Sequence, residues 1–362
     1  MFRVEHVGSF LRPERLLDAA RSHKAGRIDG GQLKEIQDDC VREIVAFQES
    51  VGLPTITDGE FRRRSWSAGF IDAVEGFGLR DGTLTFRNET SIVGVAASPY
   101  AKSPLRRKRR IVVEDYRFLR SIVRKGMPKV TIAAPDVMHY FLGPKSFEPP
   151  IYGDREAYFA DLVKIYREEI AELAAAGCGY LQLDDTALPC NCDPQARAEV
   201  AARGEDADEL TERYARLIDE AIAGKPAGMT LGIHLCRGNL KGAWMAEGGY
   251  EPIAEALFGA NVYCLEYDSE RAGDFSPLRH VPKGKRVILG LVSTKTPVLE
   301  RKDFLKRQID AASRHAGLEQ LGIGPQCGFS SGGGGGQPIT QDDTRRKLEL
   351  IMEVSQEIWS DT

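Results

Sequence analysis

Eight short apolar runs, separated by stretches of mixed character, restrict the fold more than any other feature of the sequence. They fall at residues 4–10, 54–58, 130–135, 180–183, 229–235, 262–267, 287–292 and 318–324. The intervening segments read as helices. In residues 154–176, for example, Phe159, Leu162, Val163, Tyr166, Ile170 and Leu173 recur every three or four positions as one apolar face, and Gly177 supplies a stop. Strands alternating with helices require parallel pairing through crossovers, and eight such units close naturally into an α/β (β/α)8 barrel. A doubly wound open sheet is the alternative. The length of 362 residues suits one barrel, so the expectation is a single domain over residues 1–362.

The longest break in the rhythm is residues 61–129, after the second strand. Gly76, Gly78 and Gly82 punctuate alternating segments at 83–87 and 92–95, which read as an antiparallel insertion beside the barrel mouth. Gly332 to Gly336 form a second oddity, five glycines close behind Cys327. Such a run cannot hold one conformation unaided, and it reads either as a loop near a site or as a plain connection to a C-terminal helix beginning near Asp342.

Composition narrows the function classes. With 42% hydrophobic and 28% charged residues the chain is ordinary globular material, and a net charge of −4 gives no field for wrapping a polyanion. Nucleic acid is therefore not an expected partner; the basic run 106–110 abuts apolar residues 111–113 and decorates a strand or hairpin. The N-terminus has no signal-peptide pattern and no apolar run approaches about 18 residues, so a cytoplasmic protein without membrane contact is expected. Seven cysteines, an odd number in such a chain, argue for thiols or metal ligands rather than a disulfide frame. Oligomeric state is left open, a homo-oligomer being one option.

In a barrel of this kind chemistry sits at the C-terminal strand ends. Ser9 ends the first strand, Glu60 follows the second, and Asp184 with Asp185 closes the fourth. His234 and Cys236, Glu266, Lys295 and Cys327 follow strands five to eight in turn. A lone histidine or cysteine is usually a packing residue. The joint pattern of His-x-Cys, Glu and Cys on successive strand ends is different, because it gathers four ligands of a type that zinc accepts. Cys190 and Cys192 are a competing pair, whereas Cys40 and Cys264 read as packing residues. Two thiolates, an imidazole and a carboxylate around Zn2+ carry a charge of about −1, which makes a poor Lewis acid but a good holder of an incoming thiolate. Glu266, the hardest ligand, is the one expected to yield its place to substrate sulfur. Alkyl transfer to a zinc-bound thiol is the expected reaction.

These strings resemble the catalytic domain of cobalamin-independent methionine synthase over nearly the whole chain. His-Val-Gly-Ser-Phe is similar to that family's Ile-Gly-Ser-Phe, Thr-Asp-Gly-Glu to its His-Gly-Glu, Leu-Gln-Leu-Asp-Asp to its Gln-Ile-Asp-Glu, and Pro-Gln-Cys-Gly to its Pro-Asp-Cys-Gly. The resemblance implies a zinc-bearing TIM barrel of the uroporphyrinogen decarboxylase type. It implies transfer of a methyl group from 5-methyltetrahydrofolate, often polyglutamylated, to homocysteine, giving methionine. Carried over by position, it makes His234, Cys236, Glu266 and Cys327 the metal ligands. Glu60 and Asp184 become partners of the homocysteine ammonium, Asp184 with a catalytic part as well. Val7, Gly8 and Ser9 become contacts of its carboxylate, and Phe141 stands where the family places a tryptophan against the folate ring.

Two departures bear on the details. The family's full-length enzymes carry an additional N-terminal barrel that this chain lacks, which weakens the expectation of polyglutamate capture. Lys295, in Val-Ser-Thr-Lys-Thr-Pro, stands where the family has a histidine as proton donor. A lysine donates only if burial or a neighbouring cation lowers its pKa; otherwise it binds an anionic donor. Other expectations are alkylation of a different thiol such as coenzyme M, another methyl donor such as methylcobalamin, and, in another class, a zinc barrel without turnover.

Overall fold

The computed structural model describes residues 2–257, 259–330 and 338–360. The Gly332 to Gly336 run lies outside the described residues. In chain order the strands are β1 (Thr55–Ile56), β2 (Val74–Arg87), β3 (Ile92–Arg107), β4 (Met127–Pro128), β5 (Val130–Ala133), β6 (Tyr180–Asp185), β7 (Thr230–Leu235), β8 (Val262–Glu266), β9 (Arg286–Val292) and β10 (Leu321–Pro325). Strands β5 to β10 form one six-stranded parallel sheet in sequential order. The chain start joins the far edge at β10, through a parallel bridge between Val4 and Ile323. The near edge continues through β4, which pairs in parallel with β1. Six parallel strands, with the first two apolar runs flanking them, give the barrel-like α/β fold that the alternation implies.

The first two staves are shorter than the apolar runs suggest. Gly8 at φ 68° turns the chain out of the extended region, and Gly59 and Glu60 at φ 68° and 60° do the same after β1. Polar side chains take over where the ladder stops. Buried Lys129 donates to Glu5 Oε1 at 2.7 Å, to the His6 carbonyl, and to Gln182 Oε1 at 3.2 Å, while Thr55 donates to Glu5. A buried cation on three acceptors offsets its desolvation cost, so the network joins staves that share few backbone bonds.

Strand alternation divides the apolar residues into two sets. Leu181, Leu183, Leu231, Ile233, Tyr263, Leu265, Val287, Leu289 and Ile323 belong to the large core shared with the helices. Val7, Val262, Cys264 and Ile288 make a separate small cluster on the other face. Asp184, His234 and Cys264 are in register on that face, and Glu266 stands two residues beyond Cys264 on the same side. That side is crowded by backbone: a Cβ on Gly324 would come within 2.5 Å of the Glu5 carbonyl.

Helices cover the outside unevenly. The helix Arg155–Ala175 forms as its periodicity requires, with Asp154 accepting from Ala157 N at its start. The C-terminal helix Gln341–Trp359 begins with a Thr340 and Asp343 capping box. After β7 and β8, however, the connections carry only short 3-10 turns, at Glu251–Ile253, Glu270–Ala272 and Ser276–His280. Pro252 and Pro277 in the first turns of two of them restrict the backbone before a longer helix can extend.

The expected insertion is the antiparallel ribbon β2–β3, bent by three register shifts. Its far end reaches the loop after β7, where Arg87 and Trp244 exchange backbone hydrogen bonds of 2.8 and 2.9 Å. Its exit is fastened by Glu169, a buried carboxylate that accepts from Ile111 N and Val112 N at 2.9 and 2.7 Å and pairs with Arg107 at 2.7 Å. Among the described residues no helix is long and apolar enough to cross a membrane.

Removing that carboxylate leaves the Ile111 and Val112 amides without their acceptor and takes one of its acids from the partly buried Arg107 guanidinium, which keeps Glu172. Glu169→Ala is expected to cost about 3 kcal/mol in urea unfolding, with metal content unchanged.

Candidate metal centre

His234 and Cys236 leave the end of β7, Glu266 is the last residue of β8, and Cys327 follows β10 by two residues. Their donor atoms all lie within 4.8 Å of one another, with the two sulfurs 3.5 Å apart. Donors bound tetrahedrally at zinc distances stand about 3.3–3.8 Å apart, so a small contraction would suit this set to such an ion. Three of the residues are buried, and Cys327 is partly exposed, which leaves one approach to the cluster. Among the described residues Cys190 and Cys192 join no such group; both are buried, and burial pushes the Cys192 thiol up to about 12.

The surroundings orient the ligands. His234 Nδ1 lies 3.4 Å from Asp184 Oδ1, which turns Nε2 toward the cluster. Gly238 N donates to Cys236 Sγ at 3.3 Å and Arg237 N to Glu266 Oε1 at 3.2 Å. The Arg237 guanidinium stacks on Tyr250 at 3.9 Å and donates to the Gly248 carbonyl at 2.5 Å. Sequence reasoning missed Arg237, although it directly follows His-x-Cys.

Charge is distributed unequally in this group. The hydrogen bond with Cys236, helped by His234 and opposed by burial, holds the Cys327 thiol down at about 5. The same hydrogen bond, with burial, raises Cys236. Burial pushes the Glu266 carboxyl up to about 7. For His234 burial acts downward, but the bonds with Asp184 and Cys327 prevail and raise it. Without a cation the site therefore holds protons that a bound metal would displace.

Around this centre stand the other expected residues. Ser9 Oγ donates to Glu60 Oε2 at 2.5 Å, and Thr131 Oγ1 to Glu60 Oε1 at 3.0 Å. Gly8 is pressed against the loop of Cys327, where a Cβ would come within 2.7 Å of Gly328 Cα, and Ser330 N donates to the Ser9 carbonyl at 3.0 Å. Val7 is buried in the inner cluster. Asp185 faces elsewhere, accepting from Ala187 N and Leu188 N. Phe141 lies edge-on to Tyr140 at 5.2 Å and lines a cleft of about 340 Å³ with Tyr140, Arg203 and Met245. Met245 N donates to the carbonyl of Arg237 at 2.7 Å, which places this cleft next to the segment following Cys236.

Lys295 Nζ is 3.0 Å from Asp268; burial acts to lower its pKa, but Glu266 and Asp268 overcome this and raise it. Glu60 and Asp184 are not vacant carboxylates, since the Arg63 guanidinium pairs with Glu60 and lies 3.2 Å from Asp184 Oδ2. In the sequence Arg63 is the middle of three consecutive arginines, Arg62 to Arg64.

With this geometry in place, the comparisons with known proteins are decisive. A family described as the catalytic domain of cobalamin-independent synthase matches residues 2–356. The chain belongs to this family. YxjG of Bacillus subtilis, an uncharacterized protein, is 37% identical over 99% of this chain and 95% of its own. A methionine synthase of Pyrococcus abyssi is 26% identical over 89% of this chain and 85% of its own. The solved structure of a B12-independent methionine synthase from a Shewanella species, in complex with selenomethionine, shares the fold at a TM-score of 0.74 and 19% identity, covering 100% of this chain and 99% of that one. Membership of the cobalamin-independent synthase family makes the chain a methyltransferase of the methionine synthase type.

If the four donors bind a metal, Cys236→Ala and Cys327→Ala should each lose stoichiometric metal by atomic emission, while a Cys190→Ala, Cys192→Ala double variant retains it. Asp184→Asn, which removes the charged partner of His234 while leaving the four donors in place, should weaken metal affinity about 10–100-fold. Affinity should also fall as pH is lowered below 7, by about a hundredfold or more per unit, because at least His234 and Cys236 must release protons. Competition titration with a chelator at pH 6, 7 and 8 measures that slope.

Proposed function

We propose that His234, Cys236, Glu266 and Cys327 hold zinc, and that the protein moves a methyl group from 5-methyltetrahydrofolate to the thiol of homocysteine, giving methionine. The observation that carries this reading is the S2NO donor set at one strand-end rim, with one partly exposed thiol. Zinc, when bound to such electron-rich ligands, keeps an acceptor sulfur in its nucleophilic thiolate form near neutral pH. The chain supplies the rest. Glu266, the hardest of the four donors, is the one to yield its place to the arriving sulfur. Ser9 and the backbone of Val7 and Gly8 lie against the Cys327 loop, within reach of an acceptor carboxylate. Glu60 and Asp184 are the anionic partners for its ammonium.

For the donor, the cleft of about 340 Å³ with Phe141, Tyr140 and Met245 suits a flat ring, since aromatic faces and a thioether accept one without a desolvation penalty. Lys295, held as a cation by Asp268, offers positive charge toward the cluster rather than a proton. Substitution by methionine should accordingly lower turnover without introducing a new pH dependence.

A second reading has one observation in its favour. Arg63 already occupies the space between Glu60 and Asp184, as would suit a thiol acceptor that carries an anion and no amine, of the coenzyme M kind. Purified zinc-loaded protein with homocysteine, given separately methyltetrahydrofolate (mono- and triglutamate) or methylcobalamin, tests the main reading through methionine formation. Turnover with a folate donor is expected. Failure with every donor while zinc stays bound would remove it, and turnover with methylcobalamin alone would replace the donor.

A further inference from the structure

The cation between Glu60 and Asp184 bears on how an acceptor is chosen. The Arg63 side chain is about 10% exposed, and its Nη1 donates to the Thr131 carbonyl at 3.0 Å, while its Nε has no hydrogen-bond partner among the described residues, as is also so for the Nε of Arg62 and Arg237. The backbone on either side is held independently of the side chain, because Arg12 donates to the carbonyls of Glu60 and Arg63 at 2.9 and 3.1 Å. Glu60 itself sits at φ 60°, a strained conformation for a residue with a Cβ, stabilised by the Asp58 carboxylate accepting from its amide at 2.9 Å.

Beside Arg63 is a cavity of about 360 Å³ lined by Asp58, Asp72 and Asp115 together with Arg62, Arg64 and Arg109. Its volume accommodates a guanidinium; Asp115 already pairs with Arg62 at 3.3 Å and Asp72 with Arg64 at 2.8 Å, which leaves Asp58 as the acid with no ion pair among the described residues. Burial, and for Asp115 the neighbouring Asp58, raises the Asp58 and Asp115 carboxyls, Asp115 to about 7. An arriving cation would be met by groups whose ionised forms gain from it.

We propose that Arg63 is a resident stand-in for the substrate ammonium: it bridges Glu60 and Asp184 when no acceptor is bound, and withdraws toward Asp58 when the amine of an amino thiol enters. Arg63 is thereby a specificity-determining residue. A thiol without an amine leaves Arg63 in place between the two carboxylates, whereas an amino thiol must displace it to pair its ammonium there. The exchange softens the preference for an amine, since one cation replaces another. The inference rests on the acceptor being an amino thiol, as in the function proposed above.

Calorimetry on the zinc-loaded protein, with no donor present, separates this from the methyl-transfer assay. L-homocysteine and 4-mercaptobutanoate, its counterpart without the amine, are titrated into the wild type and Arg63→Met. The ratio of their affinities should shift at least tenfold toward homocysteine in the variant, because the competing cation is gone. An unchanged ratio, or weaker binding of both thiols, would show that Arg63 stays and reads the acid end of the ligand, and would overturn the proposal. Should Arg63→Met fail to fold, a crystal structure of the wild type with homocysteine decides: the ammonium between Glu60 and Asp184 with Arg63 in the cavity supports the exchange, and Arg63 still bridging the two acids refutes it.

Discussion

One carboxylate connects the parts of the site. Asp184 lies 3.4 Å from His234 and 3.2 Å from the Arg63 guanidinium, and it accepts from Gln182 at 2.7 Å. Burial disfavours its ionised form, yet these partners more than compensate and lower its pKa. Its place is fixed by the ladder, since Asp184 and His234 are paired residues on adjacent parallel strands. The orientation of a candidate metal ligand and the charge that the proposed acceptor would meet thus depend on the same side chain. A change at either end reaches the other through one fixed group rather than through a flexible loop.

Close approach of backbone to backbone does comparable work at the rim. Gly8 meets Gly328 where no side chain would fit, which brings the first turn of the chain against the last strand-end loop. The residues concerned are more than three hundred positions apart, and they join the beginning and end of the ring. Lys129, Glu5 and Gln182 accomplish below, with buried charge, what the glycines accomplish above with absent side chains. Neither device is a hydrogen-bonded ladder, and together they hold the region where regular strand pairing is weakest.

Much of the fold was legible because periodicity is a local property. The helix Arg155–Ala175 and strands β5 to β9 fall close to where alternation of apolar runs places them. The four donors that the structure brings together were legible because each lies at or just past the end of such a run. What escaped depends on contacts that sequence spacing does not encode. The shortening of the first two staves comes from positive-φ residues at Gly8, Gly59 and Glu60, of which only the glycines carry a signal. Residues 318–320, read as strand, form a 3-10 turn before β10. The pairing of Lys295 with Asp268, two residues past Glu266, could have been suspected from the acid's position, but its effect on the lysine follows only from burial of both. Arg63 could not be separated from Arg62 and Arg64, although they end on Glu60, Asp38 and Asp72 respectively.

The ribbon β2–β3 begins at one stave and is clasped at its far end by Trp244, in the loop that follows Cys236. A strut tied at both ends constrains what it spans. Drift in its length across related chains would have to be matched by drift in the Trp244 loop, or the clasp would part. Residues of the ribbon would then evolve in step with those that follow Cys236, and the ribbon would record the history of the cleft that Thr85, Arg87 and Ile92 help to line.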